Sequence, residues 1–454
     1  MQSFPLTKTI RSFATRFKDA GFSLYIVGGA IRDFLLGFEN DDFDFTTDAQ
    51  PGEVMALFKH VIPTGIDHGT VTVLFENQKF EVTTFRTEGN YLDGRHPSSV
   101  TFIRNLEEDL KRRDFTINAF AADCIEGTIL DLNKGLDDLH NRVIRAIGVP
   151  YQRFEEDALR IFRACRIAAK LNFHIEQETL DAMISMKENL CKVSAERIRE
   201  ELFKLVSSDH PTIGLRYMQR TSMLSQLFPS LAKGEKIEQG GMHHEDVLSH
   251  NIATCQAAAD LRYSLEVRLA GLFHDIGKSE TVVFHDDRNT FYQHEVVGEK
   301  QTKKILQSLK ASNEQIRIIS LLVREHMFAY QSNWSDSAVR RFINRIGLDI
   351  IPMLFQLRIA DQIAIHGNAD TTALDELQAR IDFILEEHDA LSIKDLAING
   401  NDLISAGFPK GVQIGRTLAY LLDTVLDDPK QNNREQLLTI AKNFQSTVGS
   451  TTAL

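Results

Sequence analysis

The chain has 454 residues, 43% hydrophobic and 25% charged, with a formal net charge of −12. That length exceeds what one hydrophobic core supports and implies roughly two to four domains. No apolar run is long enough to span a bilayer. The four cysteines (Cys124, Cys165, Cys191, Cys255) are scattered without a CxxC pair, which excludes a structural zinc site and fits a reduced cytoplasm. The acidic balance does not suggest a general nucleic-acid binder, but local patches decide such binding. Positive charge gathers in Lys111–Arg113, Arg142–Arg145 and Arg153–Lys170.

The first segment, MQSFPLTKTIRSFATRFKDAG, lacks the apolar core and small-residue cleavage site of a secretory signal and reads as an amphipathic helix. The stretch Leu24–Asp48 follows. Leu24–Val27 suits a buried strand, Gly28 and Gly29 break it, and Ala30–Leu36 reads as a short helix. Asp42–Thr47 reads as a second strand whose Asp42 and Asp44 fall on one face. A glycine pair between strand and helix lets a ligand approach the backbone, and the helix N-terminus offers N–H groups to phosphate. Arg32 can add charge-assisted hydrogen bonds. Paired carboxylates suit Mg²⁺, which is usually held by one or two carboxylates plus substrate phosphates.

The spacing GG-x-x-RD-x-LLG, then D-x-D, is filled by Gly28, Gly29, Arg32, Asp33, Leu35, Leu36, Gly37, Asp42 and Asp44. It resembles the signature of nucleotidyltransferases related to DNA polymerase beta, in the branch of bacterial CCA-adding enzymes and poly(A) polymerases. The resemblance implies an α+β fold: a polymerase-beta-like head, a small sheet with helices, followed by an all-α neck, an HD domain and a helical tail. The expected boundaries are 1–140, 141–240, 241–369 and 370–454.

Thr70–Phe75 and Lys79–Phe85 alternate around Glu76-Asn77-Gln78 and predict a hairpin. Its Glu81 is a candidate third acid beside the metals, with a plain exposed strand residue as the equal alternative. Arg86–Asn105 has turn residues and no helical period. By resemblance it is the flexible loop that helps switch nucleotide specificity. In Lys111–Ala122, Phe115, Ala119 and Ala122 share a helical stripe. This block resembles the family's RRD-x-x-x-N-A motif, which implies that Arg113 contacts the triphosphate and that Asp114 and Asn118 sit near the ribose.

Gln152–Phe173 reads as one helix opened by Glu155, Glu156 and Asp157 and closed by Lys170. Asp157, Arg160, Arg163, Arg166 and Lys170 form a polar stripe, and surface ion pairing alone would explain such a stripe. The sharper reading uses chemistry. A carboxylate accepts from the exocyclic amine of cytosine or adenine while a guanidinium donates to the adjacent ring acceptors. The resemblance is to the family's ED-x-x-R motif at Glu156, Asp157 and Arg160, and implies that amino acids choose the base. Arg163 and Arg166 would extend the nucleotide site. Phe173–Pro229 is predicted largely helical, with Ser194 a helix cap.

From Met242 the pattern changes. His250, the His274-Asp275 pair and Asp361 fill the core positions of the HD phosphohydrolase superfamily by resemblance, and His294 and His326 the additional positions of two-metal members. Such a donor set suits Mn²⁺, Fe²⁺, Ni²⁺ or Zn²⁺ better than Mg²⁺. The resemblance implies 2′,3′-cyclic phosphodiesterase, 2′-nucleotidase or phosphatase activity. Asp370–Leu454 reads as helical, with a turn at Gly407 and Pro409 and a frayed end from Gln445.

The sequence therefore predicts a cytoplasmic enzyme with tRNA, CTP and ATP as partners, no membrane, Mg²⁺ in the head and a second divalent metal in the HD site. An A-adding enzyme or poly(A) polymerase is the near alternative. A phosphohydrolase with a non-catalytic, RNA-binding head is the alternative from another class.

Overall fold

The computed structural model describes residues 3–40, 42–88, 100–239, 245–285, 289–387 and 389–451. The chain divides into two compact units, Met1–Glu235 with Ile305–Ala311, and Lys236–Lys304 with Ser312–Leu454. The expected specificity loop falls mostly on residues 89–99, which lie outside the described residues.

The first unit is α+β. Its strands are β1 Leu24–Val27, β2 Asp44–Thr47, β3 Val61–Gly65, β4 Thr70–Phe75, β5 Gln78–Thr84, β6 Arg86–Glu88, β7 Val100–Phe102, β8 Phe120–Asp123, β9 Ile129–Asp131, β10 Val143–Ile144 and β11 His174–Ile175. Seven form one sheet in the order β3-β4-β5-β2-β1-β8-β9. Every pairing in it is antiparallel except β2 with β5. The predicted hairpin is β4–β5, turned by Glu76 and Asn77 at φ 48° and 62°. Two successive left-handed residues match the right-handed twist of the flanking strands.

The amphipathic helix Lys8–Asp19 buries Ile10, Phe13, Ala14 and Phe17. Phe13 is fully buried and meets the rings of Phe17, Phe45, Phe58, Phe75 and Phe80, with Phe80 stacked at 4.5 Å. Phe45 comes from β2 and Phe80 from β5, so this cluster fixes the two strands that carry Asp44 and Glu81.

Several elements differ from the sequence expectation. The helix after the glycines spans Gly29–Leu35, and β2 begins at Asp44, leaving Asp42 in the preceding loop with its N–H bonded to Asn40 Oδ1. The turn-rich stretch after β5 begins and ends as a strand pair, β6 with β7. Lys111–Ala122 is not a helix. A helix Leu106–Lys111 ends there, Asp114 accepts from the N–H of Phe115, and β8 joins the sheet beside β1. Sheet pairing outweighs the helical preference of Ala119, Ala121 and Ala122.

Gln152–Phe173 is two helices, Pro150–Glu156 and Leu159–Leu171. Asp157 is extended between them, and its side chain accepts from the N–H of Leu159 at 3.1 Å. This local side-chain bond competes with helix continuation. Ser194 precedes the helix Ala195–Val206 as expected, but its hydroxyl makes no capping bond. The final helix runs from Arg434 to Thr451, past the predicted fraying point.

The second unit is helical throughout its main elements. Val247–Asp260, Leu265–Phe273 and Ile351–His366 pack on one another, and Val412–Asp427 with Arg434–Thr451 forms part of a separate apolar cluster around Leu421, Val425 and Leu437. Gly407, at φ 94°, turns the chain before Val412. No helix of the described residues is long and apolar enough to cross a membrane.

Phe13→Ala removes the ring at the centre of the phenylalanine cluster. It is expected to destabilise the first unit by about 3–5 kcal/mol, measured as a shift of that unit's transition in denaturant unfolding.

Candidate functional site

In the first unit a cleft of about 910 Å³ opens over the sheet. Its acidic floor comes from strand register. Asp44 and Glu81 are direct partners across the parallel β2–β5 pair. Burial pushes the Asp44 carboxyl above its usual range; Arg113 opposes the shift and Asp42 adds to it. Burial also raises Glu81, reinforced by Asp44 and Asp42. Asp42 and Asp44 thus lie close enough to repel, although Asp42 is off the strand. Asp42, Asp44 and Glu81 are three hard oxygen donors and form a donor set suited to a divalent cation.

Another part of the cleft wall is built by Gly28 at φ 82°. A Cβ there would stand 3.5 Å from Arg113 Nη1 and 3.8 Å from Asp44 Oδ2, in the space between the cation and the carboxylate. Glycine keeps that space open and tolerates the left-handed backbone. Arg113 is half-buried and pairs with Asp109 at 3.8 Å, and its buried Nε has no hydrogen-bond partner. The Nε of Arg163 and Nη1 of Arg197 are likewise buried and unpartnered. Orphaned guanidinium donors at a cleft wall are costly unless an anionic ligand takes them.

Behind the cradle lies a connected polar chain. Lys170 Nζ reaches Asp33 Oδ2 at 3.0 Å, and Asp33 Oδ1 accepts from Arg32 Nε and Nη2 at 2.8 and 2.6 Å. Arg32 Nη1 donates to Asn118 Oδ1 at 2.6 Å, and Asn118 Nδ2 to Asp114 Oδ1 at 3.1 Å. Arg163 Nη2 closes the chain on Asp114 Oδ2 at 2.8 Å. Burial opposes the Asp114 charge, but Arg163 and Asn118 hold its carboxyl below the usual range.

Asp157 and Arg160 both line the cleft. They do not stand as a pair one turn apart on a single helix, because Asp157 occupies the break. Asp157 Oδ2 accepts from Arg197 at 2.7 Å. Arg160 donates from Nη1 to Glu156 Oε2 and to the carbonyl of Arg153, and from Nη2 to the carbonyl of Arg112. Arg166 also lines the cleft and pairs with Glu201 at 2.5 Å. Sequence reasoning missed Arg197, and Thr64, His68 and Arg86 on the wall. Arg197 sits in an ordinary amphipathic helix, and nothing in its spacing marks it.

The second unit carries a separate cavity of about 540 Å³, lined by His274, Asp275, His294, His326 and Asp361 among others. Two trios of metal-ligating type are present: His250, His274 and Asp275, and Asp275, His294 and His326. Asp275 serves both. Its Oδ2 faces His274 and His250 at 3.4 and 3.8 Å, and its Oδ1 faces His294 and His326 at 3.2 and 3.5 Å. Asp361 Oδ1 lies 3.0 Å from His250 Nε2. Burial opposes the Asp275 charge, yet Lys278 and the His274 imidazole hold its carboxyl well below the usual range.

The imidazoles are oriented by backbone. Nδ1 of His274, His294 and His326 donates to the carbonyls of Gly271, Phe291 and Val323 at 2.8, 2.8 and 2.7 Å. This fixes each tautomer and turns an Nε2 lone pair inward. The Nε2 atoms of His294 and His326 stand 3.2 Å apart, as do those of His250 and His274. Burial holds the His326 pKa down. Facing lone pairs at that distance fit a shared cation between them. Lys278, missed in the sequence although it lies one turn after Asp275, donates to Asp275 Oδ2 at 2.5 Å and to Gln239 Oε1 at 2.6 Å.

Comparison with known proteins gives a consistent picture. Residues 24–145 match a family model described as "Poly A polymerase head domain". Residues 172–234 match "Probable RNA and SrmB- binding site of polymerase A", and residues 290–441 match a tRNA nucleotidyltransferase domain 2. The CCA-adding enzyme of Lactobacillus helveticus is 34% identical over 425 residues, 92% of this chain and 93% of its own length. That of Levilactobacillus brevis is 36% identical over 421 residues, 93% of this chain and 94% of its own. The crystal structure of the Bacillus stearothermophilus CCA-adding enzyme in complex with CTP superposes with a TM-score of 0.73 at 27% identity, covering 98% of each chain.

After incubation with Mn²⁺ or Ni²⁺ and desalting, the protein is expected to retain metal by elemental analysis. Asp275→Asn, which alters the carboxylate common to both trios, should lose most of it while the circular dichroism spectrum stays helical.

Proposed function

The chain belongs to the family of CCA-adding enzymes, and we propose that its first cleft transfers CMP and AMP from CTP and ATP to the 3′ end of tRNA without a nucleic-acid template. The observation that carries this reading is one cleft joining an acidic floor, Asp44 and Glu81 with Asp42 beside them, to buried guanidinium donors that lack partners. Asp42, Asp44 and Glu81 would hold Mg²⁺. Bound there, the metal supplies activation of the RNA 3′-hydroxyl and neutralisation of the leaving pyrophosphate, so no protein nucleophile is required.

The remaining roles follow from the donors each residue has left. Gly28 and Gly29 admit the triphosphate against the backbone, and Arg113 offers it the guanidinium whose Nη1 faces Gly28. Arg32 has committed three hydrogen bonds to Asp33 and Asn118, so it braces the glycine turn and contributes charge more than reach. Asn118 and Asp114 present polar atoms for the ribose. Asp157, an acceptor, and Arg160, whose Nε is uncommitted, face the base and favour an exocyclic amine over a carbonyl. Arg163 and Arg166 extend this wall. The tRNA 3′ end is the acceptor, and a cytoplasmic location accords with four unpaired cysteines.

A second reading of the other unit is favoured by the shared Asp275 and the inward Nε2 atoms. We infer an HD-type phosphohydrolase centre loaded with Mn²⁺, Fe²⁺, Ni²⁺ or Zn²⁺. A metal pair held there would supply an acidified water for exchange against the ester oxygen of a phosphoester. His250, His274, His294, His326, Asp275 and Asp361 hold the site; Lys278 orients Asp275.

With Mg²⁺, tRNA transcripts ending before CCA, after the first C and after the second C are expected to be completed to CCA from CTP and ATP, resolved at single-nucleotide resolution. Addition of A alone to the transcript ending in CC would instead identify an A-adding enzyme, and a long A tract a poly(A) polymerase. Asp42→Ala with Asp44→Ala should lower extension by about a thousandfold or more with the fold retained. Surviving extension would remove the first cleft as the polymerase.

Gly28→Ala places a methyl group between Arg113 and Asp44 on a left-handed backbone. It should cost about 1–3 kcal/mol in stability and raise the KM for CTP and ATP at least as strongly as it lowers kcat.

A further inference from the structure

We propose that Tyr292 is the base platform of the second site, the residue that sets its preference for esters that carry a base. The inference rests on the phosphohydrolase reading of that unit. Tyr292 lines the same cavity as the His–Asp centre, two residues before His294 opens its helix. It is 79% exposed, the most exposed large hydrophobic side chain among the described residues. Its ring packs on no other aromatic ring among the described residues, and its hydroxyl makes no hydrogen bond there.

Burial normally offsets the cost of presenting an aromatic ring to water, so a ring this exposed, with no ring partner among the described residues and set beside a phosphoester centre, points to a ligand with a face to stack on. Neighbouring Phe291 shows the contrast: Lys278 Nζ lies 5.4 Å from its ring centroid, so that ring is already engaged. Met327, 53% exposed, lines the same cavity directly after the ligand His326. A polarisable thioether is well suited to the other side of an aromatic base. Phosphate charge is met by Arg358, which lines the cavity one turn before Asp361 and reaches its Oδ2 at 3.3 Å.

A cavity with metal ligands, a guanidinium and an exposed ring in its lining presents one group for each part of a nucleoside phosphate. Stacking tolerates any base, because every base has a π-face. The platform therefore predicts selectivity for a base over none, with little preference among bases. The base belongs either to a free nucleotide or to the last residue of an RNA.

The test uses the full chain loaded with Ni²⁺ or Mn²⁺ and two monoesters, 2′-AMP and glycerol 2-phosphate. Tyr292→Ala is expected to raise the KM for 2′-AMP about tenfold with kcat unchanged, and to leave glycerol 2-phosphate hydrolysis unaltered; Tyr292→Phe should retain the wild-type KM. An RNA oligomer ending in a 2′-phosphate forms a second arm, and whichever substrate shows the larger Tyr292→Ala effect identifies the source of the base. Equal KM values in wild type and Tyr292→Ala overturn the platform. So does equal loss on the base-free ester. If wild type hydrolyses neither compound, the hydrolase reading falls by itself. Equilibrium dialysis of 2′-AMP then decides the platform, because the difference between wild type and Tyr292→Ala cancels binding in the first cleft. Weaker binding by Tyr292→Ala supports it, and no difference overturns it.

Discussion

The first cleft depends on the polar chain that runs from the exposed Lys170 through the buried Asp33, Arg32, Asn118 and Asp114 to the half-exposed Arg163. Its two ends lie on one helix, Leu159–Leu171, and its middle lies on the glycine-turn helix and the segment before β8. The chain therefore sets the distance between the Gly28–Gly29 turn and the wall that carries Asp157 and Arg160. Truncating one member of a buried pair leaves an uncompensated charge, at a typical cost of about 3–5 kcal/mol. The same property makes such chains poor sources of net stability and good sources of geometry. A hydrophobic replacement would fill the volume but would not fix which way Arg32 and Asp114 point.

The two centres divide along donor chemistry. The first offers oxygen only, from Asp42, Asp44 and Glu81 beside an open cleft, and suits a hard cation that arrives with substrate phosphates. The second offers imidazole nitrogen around one carboxylate, in surroundings where His250, His274, Asp275 and His326 are almost wholly buried. Its tautomers are fixed in advance by carbonyls of the chain, so the cost of orienting the ligands is met during folding rather than on metal binding. A substrate-borne metal and a resident metal are thus expected of the same polypeptide for reasons visible in the donor sets.

Much of this was legible in the sequence, and the exceptions have physical causes. Strand β1 and the β4–β5 hairpin follow from apolar runs and turn residues, and the glycine–arginine–aspartate spacing marked the first cleft. Glu81 was a candidate acid from the hairpin pattern, but the register that places it beside Asp44 was not legible, because β2 and β5 pair in parallel across 37 residues of chain and no local pattern encodes that contact. The block around Arg113 reads as helical because Ala119, Ala121 and Ala122 are good helix formers. Its neighbours in the sheet decide otherwise. In the second unit the order of histidines and aspartates was legible, while Arg358 and Tyr292 were not, since a helical arginine and an exposed tyrosine carry no signal until they share a cavity.

The break at Asp157 shows how a departure from local expectation serves the site. A continuous helix would point Asp157 and Arg160 along one stripe, with the long Arg160 side chain free to swing. Instead Asp157 spends one oxygen on the N–H of Leu159 and the other on Arg197, and Arg160 is held by Glu156 and two main-chain carbonyls. Each carboxylate oxygen keeps a further lone pair, and the guanidinium keeps its Nε, so capacity to read a base remains after both groups are immobilised. Discrimination between an amine and a carbonyl is steep only when the reading groups cannot turn away to find other partners. Fixing an acceptor and a donor by short bonds to backbone and a neighbouring arginine is therefore the condition under which two side chains can stand in for a template strand.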